Sequence, residues 1–361
     1  MSVASILLSL ATLFAASIIP FNQGLAHTRA SEPHDTGWTL TIDNDPGGLS
    51  DDQNYTGGIG LTLAGDRARQ YPFSLDPVLR GIDWLAQLHR LYPEEAAQPL
   101  HAFQIGLAAF TPDDIGIEEP ILDDHPFGCL PFISNMRQRV FPEAAVSYQT
   151  TLMFGVLGTP LCKAIQRRTH RIIDATEPRG WGNQISDGGE PTARWSLVRH
   201  QPLYLSQNEH NGGDKRLELS SALEGAAGLT TQLGAGLSGR WGRIQSPWWS
   251  FAPHHAEYVS FGGLATAAGY GSATRELYVY FGGVARWRLY NALLQGQFRD
   301  SPVTFSRNEL NPFVGEAWIG ITADLTRRLQ GSLALRVRSR EIRASRANTP
   351  FWLTFELRRR P

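Results

Sequence analysis

The stretch Leu329–Arg340, LQGSLALRVRSR, alternates without a break. Leu329, Gly331, Leu333, Leu335 and Val337 fall on one side of an extended chain. Gln330, Ser332, Ala334, Arg336, Arg338 and Arg340 fall on the other, because successive side chains of a strand point to opposite faces. A water-soluble sandwich would turn the apolar side inward, whereas a membrane barrel would turn it out to lipid and keep its charges inside. One strand does not separate the two. The choice rests on how often the pattern returns and on what lies between its repeats.

It returns along most of the chain. Phe351, Leu353, Phe355 and Leu357 oppose Trp352, Thr354, Glu356 and Arg358, and Ala317, Ile319, Ile321 and Ala323 oppose Glu316, Trp318, Thr322 and Asp324. Leu277 to Leu289 keeps one parity, with Tyr278, Tyr280, Arg286, Arg288 and Tyr290 opposite. About twelve such segments are read, near 37–45, 55–64, 100–110, 127–138, 142–156, 191–205, 215–225, 228–242, 275–297, 313–325, 328–342 and 350–358. Their length, the aromatic residues near their ends (Trp38, Tyr55, Trp318, Phe351, Trp352) and an N-terminal secretion signal favour a barrel. In lipid every backbone group must be paired, and a closed barrel achieves that. The expected fold class is all-β, a transmembrane antiparallel β-barrel of about 12 strands with a short helix in an extracellular loop. Glu316, Arg336, Arg338, Tyr278 and Trp318 on the inward face imply a filled interior.

Residues 1–26, MSVASILLSLATLFAASIIPFNQGLA, have an apolar core from Ile6 to Ile19 and small residues before a cut after Ala26, which reads as a signal peptide. Lys or Arg is missing near Met1, and Pro20 ends the apolar run short of the roughly 20 residues of a spanning helix. Residues 27–361 then form the barrel, with an active site at its extracellular rim. The 33 basic and 34 acidic residues balance, which argues against a nucleic-acid surface built on phosphate neutralisation.

An even strand count puts both termini in the periplasm, so the connections after odd-numbered strands face outward. The Asp45–Asn54 turn, the Thr111–Pro126 loop and the helical stretch Leu161–Gln184 therefore share the outer end. The insert Asp66–Gln98 and the long 243–273 connection fall at the periplasmic end, the former with a short amphipathic helix in DPVLRGIDWLAQLHRLYP. Cys129 and Cys162 also meet at the outer end, where a disulfide and a pair of buried thiols are both open readings.

Gln166, His170 and Asp174 stack at helical spacing, Ile165, Ile172 and Ile173 form a separate apolar stripe, and Pro178 and Gly180 stop the helix. A histidine so placed is a candidate general base, though the same spacing suits a surface residue. Ile42-Asp43-Asn44-Asp45 and Asn54-Tyr55-Thr56-Gly57-Gly58 gather oxygen donors that suit Ca²⁺, and they also suit a plain polar turn. No Gly-x-Ser-x-Gly elbow appears near an obvious triad, so a serine nucleophile is not supported.

TIDNDPGGLSDDQNYTGGIGLTL, FTPDDI, DDHPFGCL and LGTPLCKAIQRRTHRIIDATEPRGWGNQISDGGEP, in that order, resemble the outer-membrane lipid A 3'-O-deacylases. His125 stands where that family usually has arginine, and Asp174 where glycine is common. The resemblance implies a calcium-dependent esterase that removes ester-linked acyl chains from lipid A of lipopolysaccharide in the outer membrane. It implies catalytic roles for Asn44, Asp45 and Thr56, with Asp45 also on the metal and His170 activating water. Arg167, Arg168 and Arg171 are candidates for the lipid A phosphates, and Gln166 or Asp174 for orienting His170. The alternative is a barrel without catalysis that serves as a pore or a structural protein.

Overall fold

The computed structural model describes residues 32, 34–45, 54–93, 99–206, 215–253, 257–259, 275–343 and 349–360, so the expected signal peptide lies outside the described residues. Twelve strands among them close into one antiparallel barrel in sequence order. They are β1 (Gly37–Asn44), β2 (Asn54–Ala64), β3 (Pro99–Thr111), β4 (Gly128–Phe141), β5 (Val146–Leu157) and β6 (Glu190–Leu205), then β7 (Lys215–Gly228), β8 (Thr230–Arg243), β9 (Leu277–Asn291), β10 (Phe313–Asp324), β11 (Leu329–Arg338) and β12 (Phe351–Arg359). The expected boundaries hold within a few residues except in β9, which stops at Asn291 because its side chain caps a short helical turn by accepting from the Leu293 N–H.

Closure depends on the β1–β12 seam, where Trp38 pairs with Arg359 and Asn44 with Leu353. Gly37 opens that seam at φ 103°, and a Cβ there would lie 1.9 Å from the Arg359 carbonyl oxygen, so only glycine fits. The alternation read from sequence sorts the two faces of the sheet. Ile42, Ile59, Ile105, Phe281, Ile319, Leu335 and Phe355 stand exposed outside, an apolar belt suited to lipid. Trp241 and Tyr204 stand near one margin of that belt, Trp287 and Phe313 near the other. Three aromatics read as girdle residues belong elsewhere: Tyr55, Trp318 and Trp352 are buried inside, because their parity is that of the charged face.

The interior is packed. Glu316 accepts from Arg286 Nη1 at 3.1 Å, Arg336 Nη1 at 2.7 Å and Arg338 Nη2 at 2.8 Å. The 243–273 connection starts at the expected end but does not stay there. Its described part climbs through the lumen: Trp248 and Trp249 pack against Leu100 and Met136, Phe251 against Tyr280, and Tyr258 against Tyr55 and Trp352. The Pro253 carbonyl accepts from Arg336, the Val259 carbonyl from Gln104, and Glu257 meets Arg194 and Arg288. Charges at inward positions need partners of opposite sign out of water, and this segment supplies them.

The 66–93 insert packs on the outside. Gln138 reaches Trp249 within the lumen, so its neighbours Arg137 and Arg139 point outward, as do Tyr148 and Leu152 of the adjoining strand. Helix α1 (Asp76–Leu85), the amphipathic helix expected there, lays Leu79 on Tyr148, Leu152, Trp195 and Leu197, with Leu88 just beyond it. Asp83 accepts from Thr150 at 2.9 Å and Arg137 at 3.3 Å. The insert is thus a collar on the outer wall.

Removing the central charge of the lumen takes the carboxylate partner from Arg336 and leaves the buried Arg286 and Arg338 to Glu224 and Glu257. Glu316→Ala is expected to cost about 3–5 kcal/mol, read as a lower urea midpoint for unfolding of the barrel in micelles.

Candidate active site

The site begins where β1 and β2 part. Asp43 faces inward and accepts from the Tyr55 hydroxyl at 2.8 Å, while Asn44, one residue on, faces out. A bulge between Tyr55 and Gly57 in the pairing with β3 displaces Thr56, whose Oγ1 lies 2.7 Å from Thr111 Oγ1. The buried Asp45 is tied back by its N–H to the Thr56 carbonyl at 3.2 Å.

Helix α2 (Leu161–Ile173) brings the histidine. A Cys129–Cys162 disulfide, with Cα atoms 5.6 Å apart, pins its first turn to β4, which settles the alternative of free thiols. Trp181 is buried against Phe127, Ile115 and both cysteines, and its indole N–H donates to Gln166 Oε1 at 2.7 Å. Gly180 must be small because a Cβ there would lie 2.5 Å from the Phe127 ring. The helix ends at Asp174, which adopts the left-handed conformation (φ 54°, ψ 42°). Asp tolerates that conformation better than most side chains, which accounts for a position where glycine is common.

This reversal delivers the Thr176 carbonyl to His170 Nδ1 at 2.6 Å. A carbonyl only accepts, so Nδ1 carries the proton and Nε2 is left as the basic nitrogen. The expected orienting residues therefore do something else: Gln166 holds Trp181, and Asp174 shapes the turn. Thr176 was missed because a backbone acceptor six residues away leaves no mark on side-chain spacing.

Asp43, Asn44, Asp45, Thr56 and Gly57 line one face of a cleft of about 730 Å³, and Gln166, Thr169 and His170 line the other. Ile59, Leu107 and Ala109 floor it, and Ile165 and Ile173 complete its apolar wall. The apolar stripe expected on α2 divides here, since Ile172 points away and is 76% exposed. Ile59 and Leu107 are register partners on the lipid-facing side of the sheet, so the cleft opens on the outer wall and not into the lumen.

Arg167, Arg168 and Arg171 do not line it. Arg167 instead clasps the turn, donating to the Pro178 carbonyl at 3.4 Å and facing Glu177, while Arg168 and Arg171 are exposed. His125 is buried, stacks on Phe110 and donates from Nδ1 to the Pro126 carbonyl; burial pushes it down to about 4, so it stays neutral. Glu190 anchors the next loop, accepting from the Phe298 and Arg299 N–H groups.

A closed barrel with an apolar outer belt, a packed lumen and a lateral cleft defines an integral outer-membrane protein. The family described as "Outer membrane protein LpxR" matches residues 6–358, and the chain belongs to it, the lipid A 3'-O-deacylase family that its motifs resemble. The solved structure of LpxR from Salmonella typhimurium superposes with a TM-score of 0.68 at 16% identity, covering 90% of this chain and 100% of that one. At that identity the likeness speaks to the fold. The β-domain of the Bordetella autotransporter BrkA reaches a TM-score of 0.42 at 11% identity, covering 90% and 99% of the two chains. None of the curated proteins matches by sequence comparison.

The disulfide closes a 33-residue separation, so its loss frees α2 more than the barrel. Cys129→Ser with Cys162→Ser is expected to cost about 3–4 kcal/mol on chain-entropy grounds. Hydrogen exchange should rise in 161–184 and stay unchanged in β7–β10.

Proposed function

We propose that the protein is a calcium-dependent esterase that removes ester-linked acyl chains from the 3' position of lipid A, with its cleft toward the cell exterior. One observation carries this reading: His170 and Asp45, from opposite ends of the motif set, line a single cleft on the lipid-facing wall. An acyl chain arriving within the leaflet meets Ile59, Leu107, Ile165 and Ile173, which matches its chemistry, and its ester end then lies among Asn44, Asp45, Thr56 and His170. Arg168 and Arg171, exposed on the same helix, suit the phosphates of the headgroup.

His170 does the proton chemistry. With Nδ1–H held by the Thr176 carbonyl, Nε2 takes a proton from water as its oxygen attacks the ester carbon, and the same carbonyl stabilises the imidazolium that results. The ring then returns the proton to the departing 3' alkoxide. As metal ligands Asp45, Asn44 and Thr56 can offer oxygen alone, with the Asn44 amide N–H occupied by the Asp45 carbonyl at 2.6 Å, and an oxygen donor set fits a hard cation and not a soft one. A calcium ion held by Asp45 would supply positive charge for the oxyanion that develops in the tetrahedral transition state. The packed lumen disfavours the alternative of a pore.

Mass spectrometry of lipid A from cells expressing each variant tests the reading. The wild type should strip 3'-linked acyl chains when Ca²⁺ is present and fail to do so with a chelator. His170→Ala should be slower by about 10²–10⁴-fold, and Asp45→Ala should lose activity as chelation does. An unaltered acyl pattern from folded wild type in Ca²⁺ would refute it.

A further inference from the structure

A second cluster of ligand-bearing side chains lies at the other end of the barrel, under the collar. Glu32 precedes β1, Asp66 opens the insert and His101 lies on β3, yet their ligand atoms all fall within 4.8 Å of one another. His101 is 3% exposed and points out from the barrel wall, where the insert covers it. Glu32 grips it twice: one carboxylate oxygen accepts the His101 backbone N–H, and Oε2 lies 2.6 Å from Nδ1.

The far side of the ring is what points to a ligand. His101 Nε2 and Asp76 Oδ1 are both buried, neither has a hydrogen-bond partner among the described residues, and they face each other at 3.8 Å. Arg80 at 3.1 Å and Arg137 at 3.5 Å flank the Asp76 carboxylate. A buried imidazole between carboxylates on both sides is the arrangement of a metal-bound histidine, which gives one nitrogen to the cation and its other N–H to an orienting carboxylate. Asp66 accepts from Arg69 and from Gln70 at 3.1 Å, which holds its carboxylate in place beside Glu32 and His101.

We propose that Glu32, Asp66 and His101 bind one divalent transition-metal ion of the zinc class, with Asp76 as the positioning residue behind His101. One imidazole and two carboxylates suit zinc, whereas calcium seeks oxygen alone. The cation displaces the Nδ1 proton, and Nε2–H turns to Asp76 Oδ1. It ties three segments that are far apart in sequence, fastening the residues before seam strand β1 to β3 and to the root of the collar. This site is independent of the catalytic reading.

The test is zinc titration calorimetry on metal-stripped protein in detergent, in an Asp45→Ala background so that the cleft contributes no signal. One zinc ion should bind per chain, with protons released, and calcium in excess should not displace it. His101→Ala, Glu32→Gln and Asp66→Asn should each abolish binding, and Asp76→Asn should weaken it by about 10–100-fold. Cobalt in place of zinc should give a visible absorption band that disappears in His101→Ala. Heat-modifiable gel mobility reports whether each variant remains a barrel, and the two carboxamide variants carry the test if His101→Ala does not fold. Absence of zinc binding by the parent, or equal binding by folded Glu32→Gln and Asp66→Asn, overturns the proposal.

Discussion

Lipid accepts no unpaired backbone group, and that one requirement organises the molecule. It makes the sheet close at the β1–β12 seam, and closure turns one face of every strand into an interior that lipid cannot reach. The interior is small and carries arginines and glutamates, which are too costly to leave unpaired there. Ion pairing around Glu316 and Glu257, and a chain segment drawn up through the lumen, follow from that cost. Among the described residues the lumen is largely packed, and the roomy cleft lies on the outer wall.

The cleft follows from the same division of faces. On the outer wall a polar group is expensive unless it sits near the rim, and Asn44, Asp45 and Thr56 sit there, where β1 and β2 separate. Helix α2 could not hold a geometry on its own, because thirteen residues with exposed isoleucines on a charged helix form a marginal structure in isolation. Its position comes from elsewhere: the disulfide at its first turn, Trp181 wedged under Gln166, and the Asp174 turn that returns Thr176 to His170. These contacts place a basic nitrogen above an apolar floor, a combination that suits an ester at the head of a hydrocarbon chain.

Much of this could be read from the residues alone. Alternation from Leu329 to Val337, repeated along the chain, determined strand positions and which side chains face lipid, since a period of two admits only one assignment once the apolar face is known to lie outside. The spacing of Gln166, His170 and Asp174 determined a helix, and the amphipathic run after Asp76 another. The aromatics were less legible. Tyr55, Trp318 and Trp352 occur near strand ends like girdle residues, and only their parity, which a glance at composition ignores, sends them inward.

Local pattern thus determined the strands and their faces, because each depends on neighbours a few positions apart, while the candidate residues around the cleft came from ordered motifs that resemble a known family. Tertiary structure alone decided that residues 248–253 and 257–259 pack in the lumen, that the 66–93 insert clasps the outer wall, that Cys129 joins Cys162, and that a carbonyl at Thr176 sets the tautomer of His170. It also decided that Glu32, Asp66 and His101 meet. These are contacts between segments whose separation in sequence carries no period, and they exist only after the sheet has closed and fixed which distant residues share a face and an end.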